Sequence, residues 1–516
     1  MEEYVLDALA ASAESVLAGL GPLAVGLARL AVEAGQAMTL GDMELLAVER
    51  GREILRGVLQ LGLDRQASAE VRLAGVTGAD GVPRTRAERG HARRVVTTLG
   101  EVSVRRIAYR SGVTGVPSLF PRDAALDLPP AGYSWQLQRL AEMSSRSGSY
   151  GQASELVLAA TGVSIGKRQL EQITARAAAD AEQFYRDQDR AAVPAAGGEN
   201  LPPLAISADG KGVAMRPEAR RATARAPGER VRTFGHRRGT GEKTGHKRMA
   251  ETGCVFDVQV RAGPGGPART PEQVLGPAPG GGKTAPRAVN RWYVTDITAG
   301  RDVTIGKVLD EADRRDPGRR RTWIALADGD IYQIGRIQAQ AAQRGVTITI
   351  LIDFIHVLEY LWKAAWCFHS PRDPAMEDWV TAQAADILHG HAGDVTARIR
   401  QLAAASPPRP GSEHHKIIRK TLHYLDAKQP YLDYPRALSS GWPIATGVIE
   451  GACRHLVHDR MGITGARWGL PGAQAILWLR AIHASGDLDT YWDYHIRQEH
   501  QRNHLSRYQD SHALAA

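Results

Sequence analysis

The chain has 516 residues, 43% hydrophobic and 23% charged, with a net charge of +9. That length exceeds one compact core and calls for three or four domains at roughly 150 residues each. Three widely separated cysteines (Cys254, Cys367, Cys453) exclude a disulfide framework and a four-cysteine zinc site, and they fit a reducing, cytoplasmic setting.

Residues 1–84 carry helical periodicity, first at Leu20, Leu23, Leu27 and Leu30, then at Leu45, Leu46, Ile54, Leu55, Val58 and Leu59. The apolar stretch from Tyr4 to Gly35 is broken by Asp7, Glu14, Arg29 and Glu33, and the chain opens Met1-Glu2-Glu3 where an export signal is basic. No run reaches the ~18 to 20 apolar residues of a membrane span, so no membrane partner is expected. In residues 85–130 the period shifts toward two. Arg94–Leu99 and Val102–Ile107 flank Gly100-Glu101, which predicts a β-hairpin. Residues 131–195 are helical again: Tyr150–Ala160, a Thr161-Gly162-Val163-Ser164 break, then Ile165–Ala175. Two short helices around a glycine turn predict a helix-turn-helix, with Ser164 as cap of the second helix and Lys167 and Arg168 as DNA contacts.

From 196 to 500 the pattern is α/β. Short apolar runs at Leu204–Ala208, Cys254–Val260, Trp292–Thr298, Thr322–Ala327 and Val346–Ile352 predict strands. Helices are expected over Asp302–Asp316 and Ile331–Arg344, in a helical insertion at 357–440, and near Thr446. This order is that of a ribonuclease-H-like core, shared in long stretches by other mixed α/β folds. A basic arm at 211–250 holds twelve Lys and Arg against three Glu, a net +9 equal to that of the whole chain. Such localised charge predicts phosphate contacts from Arg220, Arg221, Arg225, Arg237 and Arg238. Residues 262–290 form a Gly/Pro-rich surface insertion.

Three predicted strands end in aspartate: Asp209, Asp328 and Asp353. Side chains at the carboxyl ends of neighbouring strands converge on one edge of an open sheet. Clustered carboxylates there repel one another unless a cation is held, and hard oxygen donors suit Mg²⁺. A fourth acid, Glu450, lies on the predicted helix after Thr446, with Arg454 and His458 recurring on the same face. Asp330 rivals Asp328, since Asp328-Gly329-Asp330 offers two carboxylates; the strand-end Asp328 is preferred.

Asp209, Asp328, the Asp353-Phe354-Ile355-His356 box 25 residues after Asp328, and Glu450 beyond a helical insertion resemble bacterial insertion-sequence transposases of the DDE type. The likeness is to the Mutator-related group, and Ala208–Gly212, Gly447–Glu450 and Gly465–Gly469 are similar to its ISKra-type branch. The resemblance covers residues 204 to about 490. It implies that Asp209, Asp328 and Glu450 hold two Mg²⁺ ions, with Mn²⁺ as a substitute, and that Asp353, His356 and Asp330 are auxiliary. Implied partners are double-stranded DNA with terminal inverted repeats and target DNA, engaged by two or more copies of the chain without a nucleotide cofactor. Lys211 is expected at a phosphate, and Arg467 and Trp468 against a displaced base. Tyr109–Pro121 lacks the cysteine pair that many relatives carry there as a zinc knuckle, so no zinc is expected. A nuclease or resolvase of the same chemistry and a silent DNA-binding regulator derived from a transposase are the alternatives.

Overall fold

The computed structural model describes residues 38–187, 201–220, 247–260, 269–276, 285–370 and 372–509, with isolated positions between 21 and 32. Arg221, Arg225, Arg237, Arg238 and the leucines at 20, 23, 27 and 30 lie outside the described residues. The chain divides into two units, residues 1–185 with 489–516, and residues 186–488. The sequence boundary at 500 is therefore displaced. The helix Leu488–Asn503 belongs almost wholly to the first unit, because Tyr491 donates its hydroxyl to the Ala177 carbonyl and His495 pairs with Asp180. No helix among the described residues is long and apolar enough to cross a membrane.

In the first unit, the helix Leu40–Ser68 starts at a Thr39–Asp42 capping box. It ends well before residue 84. Residues 69–84 hold instead the short pair β1 (Val76–Thr77) and β2 (Pro83–Arg84). The hairpin is longer than its apolar signal, β3 (Arg86–Thr97) with β4 (Gly100–Arg110). Its turn is Thr98-Leu99, because Thr97 pairs with Gly100 and Gly100 takes φ +114°. Trp135–Ser147, Tyr150–Thr161 and Lys167–Ala177 form a three-helix cluster over Leu137, Val157, Ile165, Leu170 and Ile173. Gly162 closes the second of these helices at φ +72°. Ser164 is not the cap of the third. That helix begins two residues later behind Gly166, whose N–H is met by the Gln169 side chain. Lys167 and Arg168 stand exposed on its first turn.

The second unit is a mixed α/β structure around a five-stranded sheet ordered β7-β6-β5-β8-β9. Its strands are β5 (Leu204–Ala214), β6 (Lys247–Gln259), β7 (Arg287–Asp296), β8 (Trp323–Ala327) and β9 (Ile348–Ile352). β5, β8 and β9 run parallel, while β6 is antiparallel to β5 and β7. β8 is buried at every residue, as its unbroken apolar run requires for a strand covered on both faces. The helix Arg301–Arg315 covers one face, where Gly253 admits it: a Cβ there would lie 2.3 Å from Val308. Side chains alternate across a strand, so Thr252 and Cys254 point to the other face. The ends of the basic arm are strand, since Lys211–Ala214 pairs with Lys247–Ala250. The 357–440 region is helical as expected, with helices Phe354–Phe368, Pro374–Leu388, Ala392–Ala405, Glu413–Lys428 and Tyr434–Ser439.

Candidate functional site

The pairing register brings the three aspartates into one row. β5 and β8 pair as Leu204↔Trp323 through Ser207↔Leu326, and the same offset carried two residues on sets Asp209 beside Asp328. β8 and β9 pair as Trp323↔Ile348 through Ala327↔Ile352, and the next step sets Asp328 beside Asp353. The Asp353 N–H still donates to the Ala327 carbonyl at 2.8 Å, so the ladder persists to that point. With strands about 4.8 Å apart, the row spans about 10 Å. Asp209 does not end its strand, as its Asp-Gly pair had predicted. β5 continues to Ala214 because β6 pairs with it throughout, Asp209 opposite Thr252, while β8 stops. Asp209 therefore sits where one neighbouring strand has run out and the other supports it.

The helix Gly447–Ala452, continued by a π-helical turn at Cys453–His458, crosses this row. The straight α-helical phase expected for Glu450, Arg454 and His458 is thus broken, as is frequent at functional sites. Two contacts fix its course. Thr446, just ahead of the helix, donates its hydroxyl toward Asp353 Oδ2 and lies 2.9 Å from Glu450 Oε1. Seven residues on, the buried Cys453 thiol touches the Asp209 carboxylate and Thr252. Burial first, then the Asp209 charge, pushes that thiol well above its ordinary pKa. Seven residues of helix rise about 10.5 Å, close to the two strand spacings between Asp353 and Asp209. Glu450, four residues along, is held through Thr446 on the Asp353 side of the row. The Thr446 side chain does not cap the helix, since its hydroxyl is engaged by these carboxylates.

Asp353 is fully buried and receives three donors, the Ile355 N–H at 2.9 Å, the His356 ring at 3.1 Å and Thr446. Burial pulls its pKa upward, yet these hydrogen bonds outweigh it and hold the carboxyl below the ordinary aspartate value. His356 is raised, by the Asp353 hydrogen bond first, against an opposing burial effect, with Asp328 among the charges that add to it. Donor atoms of Asp353, His356 and Glu450 lie within 4.8 Å of one another. Asp209 and Asp328 stand outside that tight group, along the row.

The acids differ in what neutralises them. Glu251, beside Gly210, pairs with Arg301 at 3.1 Å, and Arg301 also binds Asp330. Asp330 in addition caps the helix Ile331–Arg344 by accepting the Tyr332 N–H. Asp330 is thus a cap and an ion-pair partner, whereas the Asp328 carboxylate accepts the backbone N–H of Asp330 at 2.8 Å. Among the described residues, no Lys or Arg forms an ion pair with Asp209, Asp328 or Glu450. Thr446 has one hydroxyl hydrogen for two carboxylates, so one acceptor facing it is left without a proton donor from that side chain. Hard oxygen donors without counter-charge at a half-buried strand end fit a divalent cation.

Sequence reasoning missed the wall of this site. Gly329 holds φ +97°, and a Cβ there would lie 2.8 Å from the Tyr424 hydroxyl, which donates to the Asp328 carbonyl at 3.2 Å. Tyr424 stacks on Tyr360 at 3.9 Å, with Lys363 and Lys420 over the Tyr360 ring. Lys428 is buried, and burial lowers its pKa against the opposing pull of Asp330 and Asp328. Helical spacing around Asp353 and Lys428 gave no sign of these contacts, which are long-range. Of the expected DNA contacts, Lys211 and Arg467 are exposed and Arg220 half-buried. Trp468 is not available for a base. It is 6% exposed, donates its indole N–H to the Met461 carbonyl and carries Arg460 over its ring. The sequence matches no protein-family model and no curated protein.

Proposed function

We propose that the chain is a DNA transposase of the DDE type, whose second unit is a ribonuclease-H-like core that cuts and joins element ends. The observation that carries this reading is the row Asp209–Asp328–Asp353 on three adjacent parallel strands, crossed by the helix that bears Glu450. The strand order, with one antiparallel member, β6, among four that run the same way, supports the fold assignment.

Asp209, Asp328 and Glu450 would hold the metal, and Asp353 acts one layer back as a positioning residue. Its three hydrogen bonds fix Thr446 and His356, and Thr446 in turn fixes Glu450. Two Mg²⁺ ions, when bound, supply activation of the attacking oxygen and stabilisation of the leaving oxygen in phosphodiester hydrolysis and transesterification. The acids give no nucleophile of their own; their task is to keep carboxylate oxygens deprotonated and oriented. Exposed Lys211, two residues from Asp209, meets the phosphate backbone, and Lys167 and Arg168 of the three-helix cluster contact duplex DNA.

The test is strand cleavage and joining with Mg²⁺ on DNA taken from both flanks of the reading frame. Cleaved and joined products, both lost in Asp209→Asn while DNA binding persists, are the expected result. Cleavage without joining makes the chain a nuclease. Tight binding with neither product makes it a regulator.

A further inference from the structure

We propose that the first unit carries a zinc-type metal site built from Asp127, His500 and His504, separate in chemistry from the carboxylate row. Each of the three offers a donor atom within 4.8 Å of the others. His500 and His504 stand four residues apart, at the end of the helix Leu488–Asn503 and just beyond it, with ring centroids 5.3 Å apart. Side chains at that spacing share one helix face. Asp127 comes from the loop after the short helix Pro121–Ala125, 373 residues away in sequence from His500.

The hydrogen bonding of His504 is that of a ligand, while an ion would replace the proton shared by His500 and Asp127. His504 Nε2 lies 2.8 Å from the Leu128 carbonyl, which can only accept, so Nε2 carries the proton and Nδ1 presents a lone pair. A metal-bound imidazole ordinarily donates its other ring N–H to a backbone carbonyl in this way, which fixes tautomer and ring angle. His500 Nδ1 lies 2.9 Å from Asp127 Oδ1. The edges of a tetrahedral zinc site are about 3.3 Å, so modest rotations of the rings around a 2.0–2.1 Å bond length would seat an ion. Asp127 is held in place from its own backbone. It takes φ +44°, donates its N–H to the Ala124 carbonyl at 3.0 Å, and accepts the Trp135 indole N–H at 2.8 Å. Left-handed geometry is tolerated by aspartate, and here it aims the carboxylate at His500.

Two imidazoles and one carboxylate are borderline donors that select Zn²⁺ or Co²⁺ over Mg²⁺. Three protein ligands leave the fourth position to water or an anion. Asp127 and His500 keep 34% and 28% of their side-chain surface, so an ion has a direct path from solvent. His504 also lines a cavity of about 290 Å³ with Arg507 and with Arg93 and Arg106, which share the Asp123 carboxylate.

The test uses the full chain, stripped with a chelator and titrated with Co²⁺. One equivalent should give the intense visible bands of four-coordinate Co²⁺, reversed by Zn²⁺. His500→Ala should abolish the bands, and Asp127→Asn, which keeps the left-handed backbone accessible, should weaken binding at least tenfold. Glu450→Gln should leave them unchanged, which separates this site from the carboxylate row. A weak six-coordinate spectrum alone, bands that survive both His500→Ala and Asp127→Asn, or bands removed by Glu450→Gln would each overturn the proposal. Circular dichroism checks folding, and if His500→Ala does not fold, Asp127→Asn decides.

Discussion

Two sets of carboxylates at one end of the same sheet behave differently. Glu251 and Asp330 share the Arg301 guanidinium, and Asp330 also caps a helix; their charge is spent on holding the fold. Asp209, Asp328 and Glu450 have no such partner among the described residues. Residue type therefore does not separate the two sets. The neighbouring cation does. By the same criterion Asp353, saturated by three donors, belongs between the sets as the group that orients the others.

The sharpest way to break this comparison is by isosteric neutralisation. On their proposed role as metal ligands, Asp209→Asn and Asp328→Asn should each lower strand cleavage by about 10³-fold or more with little change in melting temperature, since neither acid is held in an ion pair among the described residues. Asp330→Asn should keep cleavage within about tenfold. Equal losses for Asp328 and Asp330 would erase the distinction. Next in size, Thr446→Val keeps the helix packed but removes the hydroxyl between Asp353 and Glu450, and should cost about 10- to 100-fold in cleavage. Arg301→Ala leaves Glu251 and Asp330 without their shared cation and should destabilise by about 2 kcal/mol in denaturant melts. Adding Glu251→Gln to it should recover part of that loss.

A smaller effect follows pH. His356 is raised above its ordinary 6.5, so the stability it draws from Asp353 is fully present below that value and is lost as pH rises through the raised one. Asp353 is lowered below 3.8, so its share is present above 3.8 and is lost as pH falls through the lowered value. His356→Ala should therefore destabilise most between those limits and progressively less in alkaline melts. Least of all, Lys167→Gln with Arg168→Gln should flatten the salt dependence of DNA binding by at most about two in slope.

Much of the sheet was legible because β8 and β9 are short, apolar and terminated by aspartate, the signature of parallel strands buried on both faces. The helix Ile331–Arg344 was legible to the residue, since Asp330 caps it and Gly345 closes it at φ +63°. What escaped depends on partners distant in sequence. β5 runs past Asp209 through Gly-Lys-Gly, which has no strand pattern of its own, because β6 supplies the pairing. Trp468 reads as an exposed aromatic beside Arg467 until Met461 and Arg460 enclose it. The His500 and His504 spacing stood in plain view, but its carboxylate partner did not. The Asp328–Asp330 choice was open in one dimension; in three, Arg301 pairs with Asp330 and not with Asp328.

The first unit is assembled from both ends of the polypeptide, with residues 186–488 interposed. On the ribosome its early helices and hairpin must wait until residues 186–488 have emerged before Tyr491, His495 and His504 arrive to complete them. A chain cut at residue 488 would thus keep every candidate ligand of the carboxylate row yet deprive the other unit of its closing segment, and should yield an aggregation-prone fragment.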